Sequence, residues 1–204
     1  EIGRLGESTR RSVPLAEIPV DVQQAVLAAE DRNFYDHGGI SPQGIARAAF
    51  NNLTGGSTQG GSTITQQYAK IAFLTQDRTW DRKLNEALLA FKLETVISKE
   101  QILEDYLNTI YFGRNANGIE AASIAYFGKS VNELNFNEGA VLASVIKSPS
   151  GLSPEVNLGG LKARWAYVLD SMVEMGEITQ AQRDASTFPD IVPCKQKDRL
   201  AGQV

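Results

Sequence analysis

The sequence predicts a predominantly α-helical fold, on three observations. Apolar residues recur at three- and four-residue intervals through most of the chain, pairs with capping-box spacing mark several helix starts, and strand-like alternation is nearly absent.

The elements follow in order. Pro19 to Asp31 carries Val22, Ala25, Val26 and Ala29 at i, i+3, i+4 and i+7, one helical face. Ser41-Pro42 supplies a cap and a first-turn proline, and Ile45, Ala49 and Leu53 continue on a four-residue rhythm. This second helix stops in "TGGSTQGG", whose four glycines suit either a plain connector or a loop whose backbone a ligand can approach. A third helix starts at Thr63, with Gln66 at capping-box spacing, and runs to about Leu74. The stretch "DRTWDRKLNEALLAFKLETVI" follows, with Leu84, Ala87, Leu88 and Phe91 as its apolar face. Ser98 and Gln101 open the next helix, lined by Ile102, Leu103, Tyr106, Leu107 and Ile110.

Gly113 and Gly118 bracket a loop before a short helix, Ile119 to Tyr126, ended by Gly128. Asn135 and Glu138 open a helix that ends before Pro149, and "KSPSGLSP" is irregular. Leu161, Trp165, Val168, Leu169, Met172 and Val173 make the next helix, closed by Gly176, and Thr179 with Gln182 caps a last short one.

The 204 residues suffice for one domain with a sizeable core. Twenty basic against twenty-four acidic residues give a net charge of -4, so no overall basic field points to nucleic acid, and an anionic ligand must be held locally. Cys194 is the only cysteine, which excludes an internal disulfide framework. The longest apolar runs fall far short of the roughly 20 residues a membrane span needs.

Ionisable groups concentrate in "AEDRNFYDHGG", Ala29 to Gly39. Glu30 stands at the polar end of an apolar helix face, where partial desolvation would raise its pKa toward that of a general base; a solvated helix-end acid is the plainer reading. His37, the only histidine, suits a structural role, ordering the turn and buttressing the carboxylates. Ser62 and Thr63 stand at a helix start, where free N–H groups and hydroxyls can bind an anionic or sugar-like group; Thr63, Gln67 and Lys70 then follow at i, i+4 and i+7. "RTWDRKLNE" adds Arg78, Arg82, Lys83 and Glu86. A salt-bridged surface face accounts for part of it, but Lys70, Arg78 and Lys83 gathered in an acidic chain would suit a pyrophosphate leaving group.

Taken together these motifs resemble the peptidoglycan glycosyltransferase domain, glycosyltransferase family 51, of class A penicillin-binding proteins and monofunctional transglycosylases. "EDRNFYDHGG" fits E-D-x-x-F-x-x-H-x-G, "GGSTITQQYAK" fits G-x-S-T-x-x-Q-Q-x-x-K, and "RKLNE" fits R-K-x-x-E. "KEQILEDYLNTIYFG" with "GIEAASIAYFGK" fits a fourth motif, and "LASVIKSPSGLSP" resembles a fifth. Ile71 and Asn117 depart from residues common in the family, an asparagine and an aromatic.

The resemblance implies a lysozyme-like, two-lobed helical fold with a central cleft and a membrane-touching jaw. It implies polymerisation of lipid II into β-1,4-linked glycan strands by inverting transfer, expelling undecaprenyl pyrophosphate. Glu30 would be the base that deprotonates the acceptor's 4-hydroxyl, and Glu86 the second essential acid. Lys70, Arg78 and Lys83 match the pyrophosphate-binding cations, and Ser62 and Gln67 the cleft-lining polar groups. Asp31, Phe34, His37, Thr63 and Arg82 would support the site. A divalent cation, Mg2+ or Mn2+, would accompany the pyrophosphate. Partners would be lipid II, the growing lipid-linked chain and the membrane surface, at the extracytoplasmic face of the bacterial cytoplasmic membrane.

Residues 1–15 then read as a segment following a membrane anchor, 16–190 as the glycosyltransferase domain, and 191–204 as a polar tail or linker, with a transpeptidase domain expected in the parent chain. Two rivals remain: a lysozyme-like glycan-cleaving domain, which needs an acid but not the cations, and a glycan- or lipid-binding module, which needs neither Glu30 nor Glu86.

Overall fold

The computed structural model describes residues 11–38, 62–73 and 80–194, with side chains in the last segment from residue 87 onward. The helix expected after Ser41, the "TGGSTQGG" loop and Arg78 lie outside the described residues, as do the side chains of Arg82, Lys83 and Glu86. Among the described residues the regular structure is helical, with one isolated bridge between Tyr111 and Asn117.

The helices are α1 (Val20–Glu30), α2 (Ile64–Phe73), α3 (Trp80–Val96), α4 (Lys99–Thr109), α5 (Ile119–Phe127), α6 (Phe136–Ile146), α7 (Pro154–Glu174) and α8 (Gln180–Asp184). The expected caps form: Ser98 Oγ accepts the Gln101 amide, and Asn135/Glu138 and Thr179/Gln182 close reciprocal boxes. A further box, Ser130 with Glu133, opens a 3-10 turn that the sequence reading did not anticipate. Helix α7 starts earlier than expected, at Pro154, because it includes a break at Asn157, whose side chain caps the Gly160 amide before the regular stretch resumes.

Helix α6 forms the centre: Glu138 through Val145 are all buried, so it is covered on every side. Helix α1 packs on it and on α7, burying Val22, Ala25, Val26, Leu27 and Ala28. The approach is close at Gly139, where an added Cβ would lie 3.0 Å from the Val22 Cα. This burial delivers the last residue of α1, Glu30, to the edge of the core rather than into open solvent.

Helix α3 corrects one expectation. Leu88 and Phe91 are 51% and 54% exposed, whereas Ala90 and Leu93 are buried. Helix α3 packs on α2, and its small or flush positions face that neighbour, leaving the larger apolar stripe uncovered. Ile71, Phe73 and Val96 are exposed as well.

Candidate functional site

Glu30 ends α1, and its side chain is only 12% exposed. Its Oε2 accepts from Gln67 Nε2 at 2.9 Å, and Gln67 Oε1 in turn accepts from Tyr106 Oη at 2.9 Å. Burial raises the Tyr106 pKa well above its usual value, so the phenol stays protonated and fixes which way the Gln67 amide points. The amide must then donate to Glu30.

Burial is also the largest influence on Glu30 itself and lifts its pKa above 4.5. The Gln67 bond and the charges of Arg164 and Lys147 oppose the rise, and Asp31 adds to it. Arg164 Nη2 lies 3.9 Å from Glu30 Oε1 and donates to the Ala29 carbonyl at 2.9 Å, while its guanidinium stacks on the Tyr167 ring at 4.6 Å. Its Nε is buried without a hydrogen-bond partner. Beside it opens a cavity of about 410 Å³, lined by Lys147, Ser148, Leu152, Arg164 and Tyr167 among others. Buried yet flanked by cations, Glu30 meets the requirement for a base whose proton affinity is tuned by its surroundings. Replacing Arg164 with Met is expected to raise the Glu30 pKa further, a shift that NMR titration of the labelled carboxyl would read; an unmoved titration would remove Arg164 from the site.

Asp31 lies in a different setting. His37 Nε2 donates to its carboxylate, 2.8 Å from Oδ1 and 3.0 Å from Oδ2, and the Ile64 amide donates to Oδ2 at 3.1 Å. Through these bonds the turn after α1 is fastened to the start of α2. Phe34 is fully buried beneath the turn, stacked edge-on against His37. Thr63 Oγ1 accepts the Gln66 amide and caps α2, and Ser62 is half-buried just before it. Lys70 is exposed, one turn beyond Gln67. The described residues thus bring together Glu30, Asp31, Phe34, His37, Thr63 and Gln67, while Arg78, Arg82, Lys83 and Glu86 are outside them in whole or in side chain.

Lys147, Arg164, Tyr106 and Arg32 were missed. Lys147 lies inside "LASVIKSPSGLSP", where no spacing singles it out, and Tyr106 falls at an apolar position of its helix face. The signal for the arginines was a second stripe on α7. Arg164, Tyr167, Ser171 and Glu174 recur at three- and four-residue spacing, and Arg32 donates to Tyr167 Oη at 3.1 Å and Ser171 Oγ at 2.6 Å and pairs with Glu174.

The sequence pattern described as transglycosylase matches residues 1–173. Penicillin-binding protein 1A of Mycobacterium tuberculosis (strain ATCC 25618 / H37Rv) is 50% identical over 191 residues, 92% of this chain and 23% of that protein. Penicillin-binding protein 1A of Mycolicibacterium smegmatis is 49% identical over 200 residues, 95% of this chain and 26% of its own length. The crystal structure of penicillin-binding protein 1A from Haemophilus influenzae superposes with a TM-score of 0.54 at 27% identity, over 94% of this chain and 19% of that one. The chain therefore spans about a quarter of the length of the curated relatives it matches. With a match that runs from the first residue to the last turn of α7, the chain belongs to the transglycosylase family.

Proposed function

We propose that this domain is a peptidoglycan glycosyltransferase that polymerises lipid II, with Glu30 as its base. The observation that carries the reading is Glu30 itself: buried, raised in pKa, held by Gln67, and 3.9 Å from Arg164, which with Lys147 lines a cavity. In the proposed step the acceptor's 4-hydroxyl oxygen attacks the anomeric carbon of the donor and its proton passes to Glu30. The bond to undecaprenyl pyrophosphate breaks with inversion, and the leaving group carries away the electron pair as an anion.

Lys70, Arg78 and Lys83 are assigned to that anion, with Ser62 and Gln67 as polar contacts and Glu86 as the second acid. Asp31, Phe34, His37, Thr63 and Arg82 support them. Among the described residues no cluster of three His, Cys, Asp or Glu side chains is placed to hold a metal, and both Asp31 oxygens are already engaged, Oδ1 by His37 and Oδ2 by the Ile64 amide. The Mg2+ or Mn2+ ion is accordingly proposed as a companion of the substrate pyrophosphate, and no step is routed through it.

The parent chain is proposed to carry a transpeptidase domain and to work at the extracytoplasmic face of the bacterial cytoplasmic membrane. Among the described residues no helix is long and apolar enough to cross a membrane. Ile71 and Phe73 on α2 and Leu88 and Phe91 on α3 are exposed apolar side chains on two helices that pack together, which suits contact with a bilayer surface. Replacing Phe73 and Phe91 with Ser is expected to weaken co-sedimentation with anionic liposomes severalfold, and unchanged binding would move the membrane contact elsewhere.

The deciding experiment is glycan-chain formation from purified lipid II with Mg2+ in detergent. Polymer formed by this chain supports the reading. Release of fragments from preformed cell wall, with lipid II left unused, would replace it with glycan cleavage.

A further inference from the structure

One carboxylate oxygen outside the site reaches, directly or through one neighbour, α2, α4 and the turn that follows α1. Glu94 Oε1, near the end of α3, accepts from Thr65 Oγ1 at 2.5 Å and from Lys99 Nζ at 2.7 Å. Thr65 is fully buried in the first turn of α2, and the Glu94 side chain is only 8% exposed. Lys99 opens α4, and its ammonium also lies over the Phe34 ring at 4.4 Å, so it reaches the turn between Glu30 and His37.

Each of these elements bears part of the proposed chemistry. Thr65 stands two residues before Gln67, about 200° around the helix, so α2 is gripped on one side by Glu94 and on the other grips Glu30. Helix α4 carries Tyr106, which orients Gln67. Helix α3 carries position 86 and position 83, the latter eleven residues before Glu94 and so on nearly the same stripe, about 16 Å along the axis. The bond from the first turn of α2 to the last turn of α3 therefore sets the register between the helix whose Gln67 holds the base and the helix of the second acid.

Stability is a poor explanation for the arrangement. A buried ion pair is often no more stabilising than apolar side chains of the same volume, because both ions lose their hydration. Ala69 and Ala90, both fully buried, already let α2 and α3 pack closely. What an apolar replacement cannot supply is a fixed angular register, since apolar contacts tolerate sliding and a shared oxygen between two donors does not.

We propose that Glu94, with Thr65 and Lys99, is a positioning residue that holds α3 and its Glu86 and Lys83 in register with α2 and Glu30. The inference rests on the glycosyltransferase reading, and its test separates the two. First, spin labels at Ile71→Cys and Leu88→Cys, both exposed positions, in a Cys194→Ser background report the α2 to α3 distance without substrate. Glu94→Gln and Thr65→Val are expected to shift or broaden that distance; an unchanged distribution overturns the proposal whether or not the chain is active.

Second, Glu94→Gln is expected to lower kcat for lipid II polymerisation by roughly tenfold or more with KM within about twofold, the signature of misplaced groups rather than lost binding. Lys99→Met should reproduce the loss and Lys99→Arg should retain most of the rate. Unaltered kcat in Glu94→Gln overturns the positioning role and leaves the glycosyltransferase reading standing. An inactive parent chain overturns that reading, and the label distances still decide whether Glu94 sets the register.

Discussion

Glu30→Gln is expected to lower polymer formation from lipid II by roughly a hundredfold or more, the scale of a lost general base, without loss of folded protein. The glutamine keeps an oxygen that can accept from Gln67 Nε2, so the Tyr106–Gln67 chain has no reason to rearrange. What disappears is the ability to hold a proton.

The pH dependence follows from the raised pKa. Burial favours the protonated acid, so the proportion of competent base in the parent protein falls as pH drops through a value above 4.5. The acid limb of kcat/KM should therefore stand above the ordinary carboxylate range. The stability effect has the opposite sense. A folded-state carboxyl with a raised pKa stabilises the fold fully below the unfolded value of 4.5 and loses that contribution as pH rises through the folded value. At neutral pH the ionised Glu30 is a cost, which glutamine removes. Thermal melts should place Glu30→Gln at or above the parent near pH 7, with the difference shrinking below 4.5. A variant that melts well below the parent at neutral pH would mean that Arg164 and Lys147 need the charge more than burial disfavours it.

The same balance explains how much was legible beforehand. Glu30, Asp31, Phe34, His37, Thr63 and Gln67 lie within ten residues of a helix end, where caps, turns and periodicity fix geometry locally. Lys147 and Arg164 reach Glu30 from 117 and 134 positions away, and no local pattern encodes that distance. Helix α3 shows the limit from the other side. Its apolar residues define two candidate faces, and only packing against α2 decides that Ala90 and Leu93 are covered while Leu88 and Phe91 are not. Glu94 was unreadable for a similar reason: an acid near a helix end looks solvated until Thr65 and Lys99 are found against it.

Gly118→Ala should be among the most damaging single substitutions for the fold. Gly118 precedes α5 with φ 86° and ψ 155°, a region essentially closed to residues with a Cβ, at about 1–3 kcal/mol. Space adds to the cost, because the new methyl would lie 2.7 Å from the Asn108 carbonyl oxygen and 3.2 Å from its carbon, both backbone. Asn108 cannot easily retreat. Its side chain accepts from the Val13 amide and donates to the Val13 and Glu104 carbonyls, and Gly118 N itself donates to Ile110 O at 2.8 Å. Together the two effects predict a loss of about 3 kcal/mol or more, and at about 2–4 °C per kcal/mol a melting point lower by roughly 6–12 °C. Gly159→Ala is the matched control: that exposed helical site has nothing within 4 Å, so alanine should hold or raise stability by up to about 1 kcal/mol. If both variants melted alike, the end of α4 would be more compliant than its bonds imply. That result would bear on the site too, because Tyr106 stands only two residues before Asn108 and its hold on Gln67 depends on the same helix staying in place.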